Sequence, residues 1–103
     1  MAGNRVELWG PIVGEPELRT TPAGTSVLRI TVAGDSEGAL ALAIVISGEA
    51  ARRIRPSLRA GTEVRVKGFL KAVRRRLKSG LAEIGYEVMS DSIELDERGG
   101  QKN

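Results

Sequence analysis

The sequence predicts a single small all-β domain. Most of the chain consists of short segments in which apolar and polar residues alternate, and glycine or proline separates these segments. The 103 residues leave room for one domain, and 41% hydrophobic with 28% charged residues is the composition of an ordinary globular protein. We therefore expect one thin core, built from strands that each have one apolar face.

The first predicted strand is Arg5–Trp9, in which Val6 and Leu8 face the core and the residues around them face outward. Gly10 followed by Pro11 ends or bends this strand, because proline cannot donate a hydrogen bond to a neighbouring strand. The outward set includes the only tryptophan of the chain.

The second predicted strand is Ser26–Ala33, which follows a turn at residues 20–24 that contains proline and glycine. Leu28, Ile30 and Val32 recur at every second position, so we expect them to share the core-facing side of this strand. A short glycine-rich connection follows it.

The third predicted strand is Ala39–Ile46, an almost continuous apolar run whose pattern fits either a helix or a strand. We predict a strand because the run is short, is closed by Ser47-Gly48 and can pair with the second strand as a hairpin. Its expected inward residues are Leu40, Leu42, Ile44 and Ile46. Its expected outward residues are Ala39, Ala41, Ala43 and Val45.

A short helix is predicted at Glu49–Arg55. Ser47 is a candidate N-cap, Glu49 is favourable in the first turn, and Pro56 ends the helix soon after. Leu58 is expected to anchor this connection in the core.

The fourth predicted strand is Glu63–Val73, with Val64, Val66 and Leu70 facing inward and a bulge at Gly68. A basic loop is predicted at residues 74–80, and the last strand runs from about Ala82 to Leu95. Core candidates in the last strand are Ile84, Tyr86, Val88, Ile93 and Leu95. Residues 96–103 are predicted to form a short disordered tail.

Three strands, a short helix and two further strands form the plan of a five-stranded OB-fold barrel, with the helix between strands three and four. We assign residues 1–95 to this one domain. In such barrels one face, together with the loops that join strands one to two and four to five, binds oligonucleotides.

The composition argues against several other functions. The chain has no cysteine and no histidine, which removes disulfides, thiolate nucleophiles, cysteine-ligated zinc and the commonest general base. No convergent acid–base pair is visible, so we expect no enzymatic activity and no metal or cofactor. No apolar run approaches the roughly 20 residues of a membrane span, and the first residues lack the layout of a signal peptide. We therefore expect a cytoplasmic protein without a membrane partner.

The positive charge is concentrated in one quarter of the chain. Of the 16 lysines and arginines, eleven lie between Arg52 and Lys78, where the only acid is Glu63. This clustering indicates a site for a polyanion. The alternative is a solvated surface whose cations pair with the acids at residues 83–97.

The fourth strand gives the clearest candidate site. If the alternation holds, Phe69 shares the outward face with Arg65, Lys67 and Lys71. Cations that follow phosphates around a ring that stacks bases are the parts of a single-strand binding surface. Alternatively, the bulge shifts the alternation and Phe69 packs in the core.

Other basic residues extend the candidate site. Arg74, Arg75, Arg76 and Lys78 lie in the predicted loop between strands four and five, where they can contact phosphates without reading sequence. Arg29 lies on the outward side of the second strand. Trp9 is assigned to a dimer interface, since edge strands invite pairing; base stacking and core packing are its alternatives.

Five segments carry a family resemblance: NRV at 4–6, GEPELR at 14–19, TPAGTSV at 21–27, SGEAARRIRPSLRAGTEVRVKGFL at 47–70 and EVMSDSIEL at 87–95. They resemble bacterial single-stranded-DNA-binding proteins, in the right order and over about residues 4–95. One departure is clear. The family usually places aromatic residues outward on the second and third strands, where this chain has alanines on the third.

The resemblance implies binding of single-stranded DNA without sequence preference, and a homodimer or a tetramer. General members carry a long C-terminal extension with an acidic tip, whereas this chain ends eight residues after the predicted last strand. That difference favours the primosomal replication protein N branch, whose members act in replication restart and contact the primosome helicase. The alternatives are a tail-less single-strand-binding paralogue, an RNA-binding OB module, and an OB-fold protein-interaction module that has lost DNA binding.

Overall fold

The computed structural model describes residues 1–96, and the predicted tail lies outside the described residues except for Asp96. The all-β fold class is confirmed. The elements are β1 (Val6–Pro11), β2 (Glu17–Thr20), β3 (Ser26–Ala33), β4 (Ala41–Ser47), α1 (Glu49–Ile54), β5 (Glu63–Arg76) and β6 (Ala82–Leu95). A single 3₁₀ turn, Arg55–Ser57, follows α1.

The six strands form one curled sheet in the order β1-β5-β6-β4-β3-β2. All neighbouring pairs are antiparallel except β4 and β6, which run parallel. The curl brings the segment after β1 back to β3, where Ile12 bridges Val32 and the Val13 N–H donates to the Thr31 carbonyl at 2.8 Å. The result is a partly closed, OB-like barrel with its helix between β4 and β5, as the sequence predicts.

The strand count of five is wrong because the sequence does not reveal β2. Its four residues, Glu-Leu-Arg-Thr, are all exposed, so this strand has no apolar face to signal it. It forms through backbone pairing with β3 across the predicted turn, with Leu18 opposite Leu28 and Thr20 opposite Ser26. The structure thus inserts an edge strand between the first and second predicted strands.

The glycine-proline pair near the start of the chain does not end β1, which continues through Pro11. Glycine is required at position 10 because the backbone of β1 comes very close to that of β3 there. A Cβ at this position would overlap the carbonyl oxygen of Ala33 on β3. The glycine therefore lets two backbones meet where the barrel closes.

The core follows the predicted alternation through most of the barrel. Its fully buried side chains line the inner sides of β3, β4, β5 and β6, and Ala51 and Leu58 cover one end. The buried residues are Leu8, Ile12, Leu28, Ile30, Val32, Ile44, Ile46, Ala51, Leu58, Val64, Val66 and Val88. The predicted inward faces of β3 and of the first half of β5 are therefore confirmed.

Five residues predicted to face inward are exposed instead. Leu40 precedes the start of β4, so it does not reach the core. Leu70, Ile84 and Tyr86 continue the inward alternation of β5 and β6 but lie at the end of the barrel or beyond it, so they stay 37%, 60% and 56% exposed. Leu95 is the last residue of β6.

The helix begins one residue later than a Ser47 cap requires. Ser47 is the last residue of β4, and the N-cap is Gly48, whose φ of 81° is readily adopted only by glycine. No side chain caps this helix. The predicted role of Ser47 is therefore wrong, whereas the placement of the helix is correct.

Strands β5 and β6 form a hairpin that is longer than predicted. Each strand has 14 residues, and residues 74–76 belong to β5 instead of a loop. The closing turn is tight, because the Leu77 N–H donates to the Leu81 carbonyl at 2.8 Å and the Gly80 N–H to the Leu77 carbonyl at 2.9 Å.

The bulge predicted at Gly68 is present, but its extra residue lies on the other strand. Lys67 lies opposite Ser92 and Gly68 opposite Ser90, which leaves Asp91 of β6 without a partner in β5. Alternation along β5 is therefore not shifted. Gly68 is required by space, since a Cβ there would overlap the carbonyl oxygen of Met89.

Candidate nucleic-acid interface

The β5–β6 hairpin has two faces that we name by their relation to the barrel. The inner face continues the side that faces the core, and the outer face is the opposite side. Because alternation along β5 is unbroken, odd-numbered residues of β5 lie on the outer face and even-numbered residues on the inner face.

The outer face of β5 holds the residues that the sequence placed there. Arg65, Lys67, Phe69 and Lys71 share it, and Phe69 is 45% exposed. Across the hairpin, Phe69 lies opposite Met89 of β6. The alternative in which the bulge turns Phe69 into the core is therefore wrong.

The two lysines beside Phe69 are free to bind an anion. Neither Lys67 nor Lys71 forms an ion pair with any residue in the described part of the chain. Lys67 lies opposite Glu7 of β1, but that carboxylate accepts from Arg65 instead.

Arg65 is already engaged inside the protein. Its guanidinium donates to Glu7 Oε2 at 2.8 Å and lies 4.9 Å from the centre of the Trp9 ring, and its side chain is only 20% exposed. An exposed ion pair contributes about 0–1 kcal/mol and an exposed cation–π contact about 0.5–1 kcal/mol. Arg65 therefore mainly holds Glu7 and Trp9 in place on the outer face and is less available to bind a phosphate.

Arg29 is also engaged. It lies on the outer side of β3 and forms an ion pair with Glu87 of β6, whose side chain is largely covered. The pair neutralises the carboxylate that stands opposite Lys71 in the β5–β6 register. Arg29 thus leaves Lys71 uncompensated, but a phosphate would have to compete with Glu87 for Arg29 itself.

The basic residues predicted to share one loop are divided between three places. Arg75 lies on the outer face opposite Glu83, and its guanidinium packs over Gly85. Arg74 and Arg76 lie on the inner face because residues 74–76 continue β5, and Arg76 donates to the Gly80 carbonyl at 3.4 Å. Only Lys78 lies in the closing turn. The prediction of a single flexible basic loop is therefore wrong.

The hairpin tip projects beyond its supporting strands. The Asn4 side chain binds the backbone of Leu70, accepting from its N–H at 2.6 Å and donating to its carbonyl at 3.2 Å. Beyond that point β5 pairs only with β6, and β6 before Glu87 pairs only with β5. A two-stranded ribbon without further support is marginal by itself, so the tip depends on the pairing between β5 and β6.

A shallow groove crosses the outer surface between β2 and β6, and the sequence did not indicate it. Its polar walls come from β2, the following turn and β6, and its apolar floor from Val27 and Val45. Its lining residues are Glu17, Arg19, Thr20, Thr21, Val27, Arg29, Val45 and Glu87. The sequence did not indicate it because one wall, three of the eight lining residues, belongs to the unpredicted strand β2.

Trp9 lies on the outer side of β1 and is 52% exposed, so its predicted outward orientation is confirmed and core packing is wrong. Strand β1 is an end strand of the sheet and pairs only with β5. Of the residues expected outward on the third predicted strand, Ala41, Ala43 and Val45 lie in β4 and face outward, whereas Ala39 precedes the strand.

Two further observations concern residues 1–96. No group of three or more acidic side chains comes together there in a way that could hold a metal ion. None of the helices in this part of the chain is long and apolar enough to cross a membrane.

An OB-like barrel with a long, cation-bearing β5–β6 hairpin has the architecture of an oligonucleotide-binding domain. The model of the single-strand binding protein family matches residues 3–96. The chain belongs to the single-strand binding protein family. A search of curated protein sequences found no significant match.

Proposed function

We propose that this protein binds single-stranded DNA without sequence preference. Family membership supports this function, and members of the family are DNA-binding proteins that are not enzymes. The observation that carries the proposal is Phe69, which is exposed on the outer face between Lys67 and Lys71.

The mechanism combines electrostatic attraction with stacking. At about 3.3 Å per residue, each lysine lies about 7 Å from Phe69 along the strand. The ammonium groups contact phosphates while the ring stacks a base, and every base has a π-face, so no sequence is preferred. Phosphate contacts release counterions, which makes the affinity depend on salt.

Affinity rests more on cations than on rings in this chain. Ala43 and Val45 face outward on β4, where neither offers an aromatic platform. Arg65 and Arg29 have internal carboxylate partners, so they contribute less than Lys67 and Lys71. We therefore expect strongly salt-dependent binding with few stacked bases.

The test is a titration of fluorescently labelled oligo-thymidine, read by anisotropy at several salt concentrations. Replacing Lys67 and Lys71 together by alanine should weaken binding and reduce the salt slope by about 1.4, at about 0.7 for each lost single-strand phosphate contact. The matched control replaces Arg52 and Arg53, two exposed arginines of α1, and removes the same charge.

Equal losses in both double variants would mean that only net charge matters, and the outer-face site would then be wrong. Absence of binding by the unaltered protein would leave the second candidate, a protein-interaction barrel. The alanine-bearing outer side of β4 is the observation that favours that alternative. Competition between DNA and RNA oligonucleotides of the same sequence separates DNA binding from an RNA-binding module.

The biological role that we propose is replication restart, in the cytoplasm, with the primosome helicase as protein partner. Its support is the similarity of AIVISG at 43–48 and VKGFL at 66–70 to primosomal replication protein N. Stimulation of the purified helicase on a forked DNA substrate tests this role. Unchanged helicase activity in the presence of saturating protein would contradict it.

We also propose a homodimer in which two β1 strands pair antiparallel and cover Trp9. The support is the half-exposed indole on an end strand that pairs only with β5. Such a contact is isologous, the commonest symmetry of small oligomers. A tetramer, as in larger relatives, would add a second contact to this one.

A further inference from the structure

A second groove, separate from the one between β2 and β6, opens beside α1. Its volume is about 420 Å³, and its walls come from the last residues of β4, from α1 and from residues 90–93 of β6. Lys67, Phe69 and Lys71, which carry the proposed DNA contact, do not line it. We name it the α1 groove.

Strands β4 and β6 separate at the α1 groove. Their parallel pairing covers three positions and ends at Val45 opposite Met89. Past these residues, and within the described part of the chain, β4 pairs only with β3 and β6 only with β5. The bulge residue Asp91 follows two positions after Met89, and a bulged strand bends. One side of each strand is therefore left without a strand partner where the groove opens.

The floor of the α1 groove is apolar. Ile46 is buried in the core, and Ile54 and Ile93 are partly buried and pack against that core. Each wall contributes one of them, because they come from β4, α1 and β6. A concave apolar surface of this kind favours an apolar group of a ligand over water.

The charge at the rim is positive. Arg53 lines the groove, and neither Arg53 nor Arg52 forms an ion pair with another residue among 1–96. The only acid of α1, Glu49, is paired with neither of them. The one acid in the lining, Asp91, accepts from the Arg5 guanidinium at 3.1 Å. The groove therefore has an available guanidinium group beside an apolar floor.

Two serine side chains add polar groups to the walls. Ser47 ends β4 and Ser92 lies in β6, and both are exposed in the groove. Each hydroxyl can donate one hydrogen bond and accept others. Hydroxyl groups and the unpaired sides of two strands are suitable partners for the backbone of an extended peptide.

We propose that the α1 groove binds an extended segment of a partner protein in which an apolar side chain is adjacent to a carboxylate. The backbone of the segment lies between β4 and β6, as when a strand is added to the edge of a sheet. Its apolar side chain enters the isoleucine floor, and its carboxylate pairs with Arg53. This contact goes beyond the proposed function and does not depend on DNA binding.

Single-stranded DNA is the competing ligand, because Arg53 can also contact a phosphate. The lining of the α1 groove includes no aromatic side chain on which a base could stack. The apolar floor and the unpaired strand sides favour a peptide instead. Competition between peptide and oligo-thymidine separates the two ligands.

The test begins with a selection of binders from a phage-displayed library of random short peptides on the full chain. We expect enrichment of peptides in which aspartate or glutamate is adjacent to leucine, isoleucine or phenylalanine. The most enriched peptide is then synthesised with a fluorescent label, and its affinity is measured by anisotropy. Unlabelled oligo-thymidine should not displace it.

Variants locate the peptide on the protein. Arg53→Glu should weaken peptide binding by about 10-fold or more, the loss expected for one charge-assisted contact, whereas Arg59→Glu, the same charge change outside the groove, should not. Ala50 is exposed and lines the groove, so Ala50→Trp should fill it and abolish binding with little change in melting temperature. Replacing Lys67 and Lys71 together by alanine should leave peptide binding unchanged.

Three results would overturn the proposal. The first is a selection that enriches no acidic, apolar peptides. The second is a selected peptide that binds the Ala50→Trp variant as tightly as the unaltered protein. The third is displacement of the peptide by oligo-thymidine together with weaker DNA binding by Arg53→Glu, which would make the groove a nucleic-acid contact. If the unaltered protein binds the peptide but not DNA, the proposed function is wrong and the groove stands.

Discussion

Substitutions of Phe69 can distinguish a role of this side chain in DNA binding from a role in packing. We consider two substitutions, Phe69→Ala and Phe69→Leu. The first removes the ring and its packing, and the second removes the ring but keeps most of the apolar contact with the strand across the hairpin. If Phe69 stacks a base, both variants should lose about 1–3 kcal/mol of binding free energy.

The effect on folding differs between the two variants. Truncating a fully buried phenylalanine to alanine costs about 3–5 kcal/mol of unfolding free energy. Phe69 is 45% exposed, so about half of that cost, roughly 2 kcal/mol, is expected for Phe69→Ala. Phe69→Leu keeps an apolar side chain of similar size and should cost less than about 1.5 kcal/mol.

The assays are anisotropy of labelled oligo-thymidine and thermal melting, in the same buffer. The diagnostic variant is Phe69→Leu, which should melt close to the unaltered protein and bind more weakly. Normal binding by Phe69→Leu, together with a lower melting temperature for Phe69→Ala, would make Phe69 a packing residue and refute the stacking argument.

Three further predictions concern the hairpin, the dimer and the bulge. Replacing Arg74, Arg75, Arg76 and Lys78 together by alanine should weaken DNA binding and flatten its salt dependence, by about 0.7 per lost contact; an unchanged slope removes the tip from the site. Light scattering should give twice the 11.0 kDa chain mass. The variant Trp9→Glu should shift this mass toward that of a monomer, whereas Leu18→Glu, a control on the other edge strand, should not. A monomeric unaltered protein would contradict the dimer. The variant Gly68→Ala forces a methyl group onto the Met89 carbonyl and should lower the free energy of unfolding by about 1–3 kcal/mol. In the control Gly3→Ala the added methyl group points into open space, so this variant should melt like the unaltered protein. Equal melting temperatures for the two variants would contradict the close approach at Gly68.

The sequence predicts a strand well where a segment of alternating apolar and polar residues is bounded on both sides by turn residues. Strand β3 has the predicted bounds, Ser26–Ala33, because strict alternation is closed by a turn on one side and a glycine-rich connection on the other. The sequence does not predict strand β2, because all four of its residues are exposed and the strand therefore has no buried apolar face. It is held by backbone hydrogen bonds, which produce no pattern of apolar residues. Alternation predicts which face a side chain occupies, but not where the barrel ends, and for that reason Ile84 and Tyr86 were assigned to the core.

In the candidate site, too, the sequence predicts some features and not others. The orientation of Phe69 follows from local alternation and was predictable. The engagement of Arg29 by Glu87 and of Arg65 by Glu7 was not, because in each pair the partners are 58 residues apart in the sequence. Long-range pairing therefore decides which cations are free, and the structure leaves Lys67 and Lys71 without an ion-pair partner among the described residues.

The most direct test of the central claim is the affinity of the unaltered protein for oligo-thymidine as a function of salt concentration. Two free lysines on the outer face, Lys67 and Lys71, together with the four basic residues of the hairpin tip, Arg74, Arg75, Arg76 and Lys78, provide up to six phosphate contacts. The logarithm of the binding constant should fall linearly with the logarithm of salt, with a slope between about −1.4 and −4.2 at about 0.7 per contact. Absence of binding at low salt, or a slope near zero, would contradict a hairpin that binds single strands through its cations.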